Sequence, residues 1–465
     1  MNGMNNIAPH IFKGYDIRAI YPEEINEENI VPIVKAIYTF LTRDSDGKTP
    51  FRLVVGTDMR ISSPSLTKVA IKTLLDLGAQ IIDIGIVSTP TFYFAVYHYG
   101  YDAGIQITAS HNPKEWNGIK IVKKGPKGLI KIGKPTGIEE IREMAVKGES
   151  MNAKTGGSIA KKDGIIEEEV ENALKIAGNP DIKRFKIVAD AANAMGGQYI
   201  NALFEKVPVD LIRMNFDLDG TFPAHQPDPL QSETLVDLQK KVISEKADLG
   251  LAPDGDGDRL FFIDEKGNVV PPTIITSIVA KDLLKKNPGE RILVDIRYIL
   301  TPVKIIEENK GEASITKVGH AYITEEMNKN GGIFAGESSG HYFFRDTGNA
   351  ESQLPVILTI LKVLTMTNVP FSKLVEEYRR SYESGEINFK VTNAKDILEA
   401  AKENYKVGQV EAMDGVAVGF PSWRFSLRTS NTEPLLRLNI ESYDKDEMIQ
   451  KKEELVKLIK SLARE

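Results

Sequence analysis

Apolar residues in this chain gather into short runs in which nearly every position is apolar. FRLVVGTD, FKIVAD and RILVD carry basic residues at their start, continue through Val, Ile and Leu, and end at Asp58, Asp190 and Asp295. Runs of this kind fit strands buried on both faces of a parallel sheet. Each is followed by a second apolar strand, AQIIDIGI, VPVDLIRMNF or ASITKVGH, the last reaching His320. A third strand follows in each case, DAGIQI, DLGLA or GGIFA. In the first unit SSPSLTKVAIKTLLDLG reads as a Ser-capped amphipathic helix that stops at Gly78. Strands alternating with helices predict α/β domains with a mixed, mainly parallel sheet, repeated three times.

The C-terminal pattern is different. NAKDILEAAKENY reads as a helix, DGVAVGFPSWRFSLR as a hairpin, and KDEMIQKKEELVKLIKSLA as a closing amphipathic helix. The expected organisation is three related α/β domains at 1–158, 159–265 and 266–378, then a smaller α+β domain at 379–465. In α/β sheets, ligands bind beyond the carboxyl ends of the strands. The third strand of each unit runs into an unusual loop at that end: TASHNP, PDGDGDR and GESSGH. Their recurrence points to a shared site.

The chain has 465 residues, of which 42% are hydrophobic and 27% charged, enough for several cores. A formal net charge of -6 argues against a nucleic-acid partner but leaves room for a local anion site. With no cysteine there are no disulfides, thiolate nucleophiles or cysteine–zinc sites. No signal-peptide pattern opens the chain and no apolar run reaches bilayer length, so a cytoplasmic protein with no membrane partner is expected.

PDGDGDR places Asp254, Asp256 and Asp258 two residues apart. Carboxylates so close repel unless neutralised, and their hard oxygens suit Mg²⁺, Mn²⁺ or Ca²⁺. An EF-hand is excluded, because Arg259 stands where that loop needs glycine and a strand pattern, LFFID, follows. Three aspartates leave room for substrate oxygens, which fits Mg²⁺ in phosphate chemistry, with Arg259 beside them for a phosphate oxygen. Ser110, expected to be exposed on its loop, lacks both a GxSxG elbow and a Ser-x-x-Lys spacing. Nor is the adjacent His111 expected to turn back onto its hydroxyl. Near a divalent cation and Lys120, that hydroxyl is suited to carrying a phosphoryl group. RTSNTEP offers one guanidinium with hydroxyls and amides in a turn, suited to a phosphate dianion. GESSGH mixes donors and acceptors that suit sugar hydroxyls.

Taken together, the four loops resemble those of the α-D-phosphohexomutases. TASHNPKEWNGIK resembles the phosphoserine loop, PDGDGDR the metal loop, GESSGH the sugar loop and RTSNTEP the phosphate-binding loop, in the family's order across essentially the whole chain. The resemblance implies four domains around a central cleft. It further implies reversible exchange of hexose 1-phosphate and hexose 6-phosphate through phosphorylated Ser110 and a hexose 1,6-bisphosphate. Mg²⁺ would be held by Asp254, Asp256, Asp258 and a phosphoserine oxygen. Arg428, Ser430, Asn431 and Thr432 would grip the non-reacting phosphate, and Glu337, Ser339 and His341 the sugar hydroxyls. Tyr15 and Arg18 in GYDIR match an entry motif that usually ends in glycine, where this chain has Ala19. His111, Lys120 and Arg259 would surround the transferred group, and His320 is a further acid/base or substrate contact. Among the sugars mannose is expected first and glucose second, although Ser338 stands where the mannose and glucose branches commonly carry methionine. A phosphoglucosamine mutase, a Mg²⁺-dependent sugar phosphatase and a non-catalytic sugar-phosphate sensor are the alternatives, with a monomer or small homo-oligomer as the assembly.

Overall fold

The structure is a computed structural model, and it describes residues 7–45, 50–150, 156–429 and 435–464. By compactness the chain forms two units, one of residues 1–270 and 339–372, the other of 271–338 and 373–465.

The first unit holds two mixed sheets. In the larger, the strand order is Ile17–Ile20, Trp116–Lys124, Ala103–Ile107, Arg52–Thr57, Gln80–Ile86, Ser158–Lys161, with Leu129–Lys131 added on Trp116–Lys124. Arg52–Thr57 is central, and parallel strands lie on both sides of it. Its apolar run is continuous because both faces are covered. Helices Ile30–Thr42, Ser63–Asp76 and Ile138–Lys147 build one core on Leu53 and Val55. Phe92, Tyr93 and Val96 of helix Thr89–His98 build another on Val54 and Val122. The second sheet repeats the plan: Phe185–Asp190 lies parallel to both Val209–Met214 and Leu249–Pro253, and Leu260–Asp264 returns antiparallel. The short hairpin Tyr342–Phe344 and Ala350–Glu351 and the buried helix Leu354–Thr367 also belong to this unit.

The second unit carries the third copy of the plan. Arg291–Asp295 is flanked by parallel strands Glu312–Thr316 and Phe334–Gly336. Its C-terminal part is an antiparallel sheet centred on Trp423–Thr429 and Leu435–Ser442, packed through Leu427, Leu438 and Ile440 on helices Ala394–Asn404 and Lys445–Leu462. The mixed α/β sheets are those expected from the sequence.

Two elements depart from expectation. The strand expected to reach His320 stops at Thr316. Gly319, at φ 123°, breaks the extended chain, and His320 opens helix His320–Asn330. Helix Ser63–Asp76 begins where expected, but Ser62 makes no side-chain cap. Its hydroxyl instead accepts from Asn117 Nδ2 at 2.7 Å. Among the described residues no single helix is long and apolar enough to cross a membrane.

A buried carboxyl makes the first unit sensitive to pH. Glu169 is 3% exposed, and the Thr91 hydroxyl donates to it at 2.6 Å. Burial raises its pKa to about 7 from an ordinary 4.5, against the opposing hydrogen bond from Thr91. Between those values the folded state keeps a proton that the unfolded chain has lost, so Glu169 costs stability as pH rises and its full cost applies above about 7. Glu169→Gln is therefore expected to match the wild type near pH 4.5 and to exceed it by about 3 kcal/mol at pH 8. Urea unfolding of both proteins at the two pH values checks this.

Candidate active site

The three aspartates that close the repeated strands make the same turn. A side-chain oxygen of Asp58, Asp190 or Asp295 accepts the backbone N–H two residues on: Arg60 at 3.0 Å, Ala192 at 3.0 Å, Arg297 at 2.8 Å. This local bond reverses the chain at the strand's carboxyl end.

In the first copy the turn delivers Arg60, fully buried. Its Nη2 donates to the carbonyls of Ser110 and Asn112 at 2.7 Å each, and its Nη1 to those of Pro113 and Trp116 at 2.7 and 2.9 Å. Asp58 lies 3.2 Å from its Nε. One guanidinium thus shapes the whole serine loop. Arg18 adds a bond from Nη1 to the Ala109 carbonyl at 3.1 Å and another to Asn112 Oδ1. Tyr15 lies in the bend just before strand Ile17–Ile20 and is half-buried.

Contrary to expectation, Ser110 is buried, only 2% exposed, because the acidic loop closes over it. A Cβ on Gly255 would stand 2.2 Å from the Ser110 carbonyl oxygen, so only glycine allows that approach. The Ser110 hydroxyl donates to Asp254 Oδ2 at 3.0 Å. It also lies 3.1 Å from His111 Nδ1, a contact the sequence reading rejected. The left-handed backbone at Ser110, φ 50°, folds the chain enough to bring the neighbouring ring round.

Asp254, Asp256 and Asp258 are all buried, and each offers an oxygen within 4.8 Å of the others. Lys120, on strand Trp116–Lys124, places its ammonium 2.7 Å from Asp256 and also pairs with Asp258. Thr89, first residue of helix Thr89–His98, donates its hydroxyl to Asp256 at 2.7 Å and its N–H to the Asp256 carbonyl at 2.9 Å. The Arg259 N–H donates to Asp254 at 3.1 Å, and His341 Nε2 lies 3.2 Å from Asp258. Ser339 holds the other ring nitrogen of His341 at 3.0 Å. Asp256 Oδ1 is buried and accepts no hydrogen bond among the described residues. A buried set of hard oxygens, one of them unpartnered, fits a small divalent cation such as Mg²⁺.

Electrostatics separate the titrating groups. Burial pushes the Lys120 ammonium down, but Asp256 and Asp258 outweigh it and hold the pKa well above the usual lysine range. Burial and its two neighbouring carboxylates push Asp254 well up. Asp258 is also pushed up by burial, yet Lys120 and His341 bring it well below the usual range. His111 is pushed well down by its enclosure and by Arg259 and Arg18, so its imidazole is neutral at neutral pH. A neutral imidazole 3.1 Å from a hydroxyl can accept its proton.

GESSGH is divided between the units, with Glu337 and Ser338 in the second and Ser339 and His341 in the first. In the second unit the Asp295 turn delivers Arg297, which is held by Asp295 at 2.9 Å and lies 3.2 Å from Glu337. Glu337 also accepts the Gly319 N–H at 2.9 Å, next to His320, which is buried. Arg428 lies on strand Trp423–Thr429 and pairs with Glu386 at 3.0 Å; Arg437 pairs with the same carboxylate at 3.2 Å. Ser430, Asn431 and Thr432 lie outside the described residues. The sequence reading missed Arg60, Arg297, Glu386 and Thr89. The first two were legible, since TDMR and VDIR both put arginine two residues after the repeat aspartate.

Models of the phosphoglucomutase/phosphomannomutase family match the chain throughout: alpha/beta/alpha domain I at residues 9–150, domain II at 168–267, domain III at 271–382 and the C-terminal domain at 386–458. The chain belongs to that family. A phosphomannomutase of Vibrio cholerae is 37% identical over 97% of this chain and 98% of its own length. A phosphomannomutase of Methanocaldococcus jannaschii is also 37% identical, over the same shares of both chains. The crystal structure of a phosphoglucomutase/phosphomannomutase family protein from Burkholderia thailandensis superposes with a TM-score of 0.87 at 28% identity, covering 98% of both chains. These relatives make the protein a phosphohexomutase-type isomerase of carbohydrate metabolism.

Proposed function

We propose that the protein interconverts mannose 1-phosphate and mannose 6-phosphate, with glucose phosphates as further substrates, through phosphorylated Ser110 and a hexose 1,6-bisphosphate. The observation that carries this reading is the Ser110 hydroxyl, hydrogen-bonded to a buried aspartate triad and flanked by Lys120 and a neutral His111. In the forward step the Ser110 Oγ–P bond breaks and a P–O bond forms to the sugar hydroxyl, whose proton passes to a base while the departing Ser110 oxygen takes up a proton. In the return step the bisphosphate gives its other phosphoryl group to Ser110, and His111 Nδ1 takes the serine proton. Asp254, Asp256, Asp258 and an oxygen of the phosphoserine would hold Mg²⁺, which when bound offsets negative charge on the moving phosphoryl group. Lys120 and Arg259 flank the same centre. Glu337, Ser339 and His341 are assigned to the sugar, and Arg428 with Ser430, Asn431 and Thr432 to the other phosphate. Mannose is favoured by the phosphomannomutase relatives.

Phosphorus NMR with Mg²⁺, a trace of hexose 1,6-bisphosphate and the 1-phosphates of mannose, glucose and glucosamine tests the proposal. A 6-phosphate signal growing fastest from mannose is expected. Release of inorganic phosphate alone would make the protein a phosphatase, and no change with any of the three would overturn catalysis on these sugars.

A further inference from the structure

Asp190 ends a repeat strand, like Asp58 and Asp295, yet no role above uses it. Its carboxylate closes the neck of a loop. Asn215 Nδ2 donates to Oδ1 at 2.9 Å from one side, and His225 Nε2 meets Oδ2 at 3.1 Å from the other. Asn193 secures the interior, with its side chain donating to the Asp217 carbonyl at 2.9 Å and its own carbonyl accepting the Asp219 N–H at 3.0 Å.

From that neck the loop reaches Arg60, His111, the acidic loop and Arg259. The Phe222 ring lies 5.1 Å from the Arg60 guanidinium, and a Cβ on Gly220 would stand 2.7 Å from the Arg60 Cα. Gln226 Nε2 donates to the His111 carbonyl at 3.1 Å. The Pro227 carbonyl accepts the Gly255 N–H at 3.0 Å, which fixes the acidic loop. Asp228 lies 3.5 Å from Arg259 Nη1.

We propose that the loop from Asn215 to Asp228, closed on Asp190, is a clamp that sets the serine loop, the acidic loop and Arg259 in register, with Gln226 and Asp228 as positioning residues for phosphoryl transfer. The proposal rests on the mutase reading, since it is the alignment of the Ser110 oxygen with an acceptor that the clamp serves. Transfer demands in-line geometry, and an error near 1 Å costs about a hundredfold in rate. The residues assigned to the sugar, Glu337, Ser339 and His341, lie outside the loop, so sugar binding is expected to be spared.

The test compares Gln226→Met, which keeps the length but removes the donor, with Asp228→Asn, which keeps the shape but removes the charge facing Arg259. Gln226→Met is expected to lower kcat by about tenfold to a hundredfold. KM and Mn²⁺ affinity should stay within about twofold, because neither ligand set includes Gln226. Asp228→Asn should lower kcat by about threefold to tenfold with the same split. Deuterium exchange of the 109–113 backbone should rise in Gln226→Met about tenfold, and that readout needs no turnover. Wild-type rates in both variants, or a loss of kcat matched by equal losses in KM, Mn²⁺ binding and thermal midpoint, would overturn the clamp. If the wild type isomerises no sugar, the mutase reading fails instead, and unchanged exchange in Gln226→Met then decides against the clamp alone.

Discussion

In the Ser110→Ala variant, isomerisation of hexose phosphates falls by about four orders of magnitude or more, because the loop's other hydroxyl, on Thr108, is held by the backbone N–H of residue 110 at 3.0 Å and has no bond to the aspartate triad among the described residues. The fold survives. Ser110 stands at φ 50°, where any side chain is strained by about 1 kcal/mol, so alanine adds no new backbone cost. Its hydroxyl meets Asp254 at 3.0 Å and His111 Nδ1 at 3.1 Å, and a carboxyl held well up by burial tolerates losing that donor better than a fixed anion would. Ser110→Gly serves as the control: glycine relaxes the left-handed turn, so this variant should be at least as stable as alanine and equally inactive. The checks are phosphorus NMR for turnover, intact mass for loss of the phosphorylated form, and thermal unfolding for the fold. Undiminished turnover in either variant would end the serine relay.

The second large effect is on stability. Arg60→Met is expected to cost about 3–5 kcal/mol, as removal of one partner of a buried ion pair does. Four carbonyls at 2.7–2.9 Å lose their donor and Asp58 is left as a buried carboxylate beside an apolar side chain. Arg60→Lys keeps the charge, but one ammonium cannot span the four carbonyls that a planar guanidinium reaches. It should fold, lose part of the stability, and turn over at least tenfold more slowly, since the backbone beneath Ser110 is no longer fixed. Chemical denaturation of Arg60→Lys with kinetics on the same sample measures both. A fully active Arg60→Lys enzyme would mean that the serine loop holds its shape without the carbonyl cage.

Much of this was legible in the chain. The threefold strand pattern is a consequence of burial on both faces, and burial writes itself into sequence as uninterrupted apolar runs. The aspartate triad was legible because carboxylates two residues apart cannot be buried without cations. Partners supplied from elsewhere in the sequence were not legible. The donation from Thr89 to Asp256 spans 167 positions, and that from Gln226 to the His111 carbonyl spans 115. The burial of Ser110 was missed for the same reason, since the lid on it is a glycine from another repeat. His111 was misjudged because a serine at positive φ cannot be foreseen from TASHNP. The helix at His320 was missed because KVGH continues an apolar run, while the backbone turn at Gly319 has no apolar signature.

The ammonium of Lys120 lies on two carboxylates of the acidic loop, and those carboxylates hold it in its charged form. The loop therefore folds around a cation that the chain itself supplies. Three neighbouring aspartates would otherwise make the protein's survival depend on an outside ion. On the proposed mechanism supply and persistence are uncoupled: scarcity of divalent metal would halt phosphoryl transfer while Lys120 still offsets charge on the acidic loop.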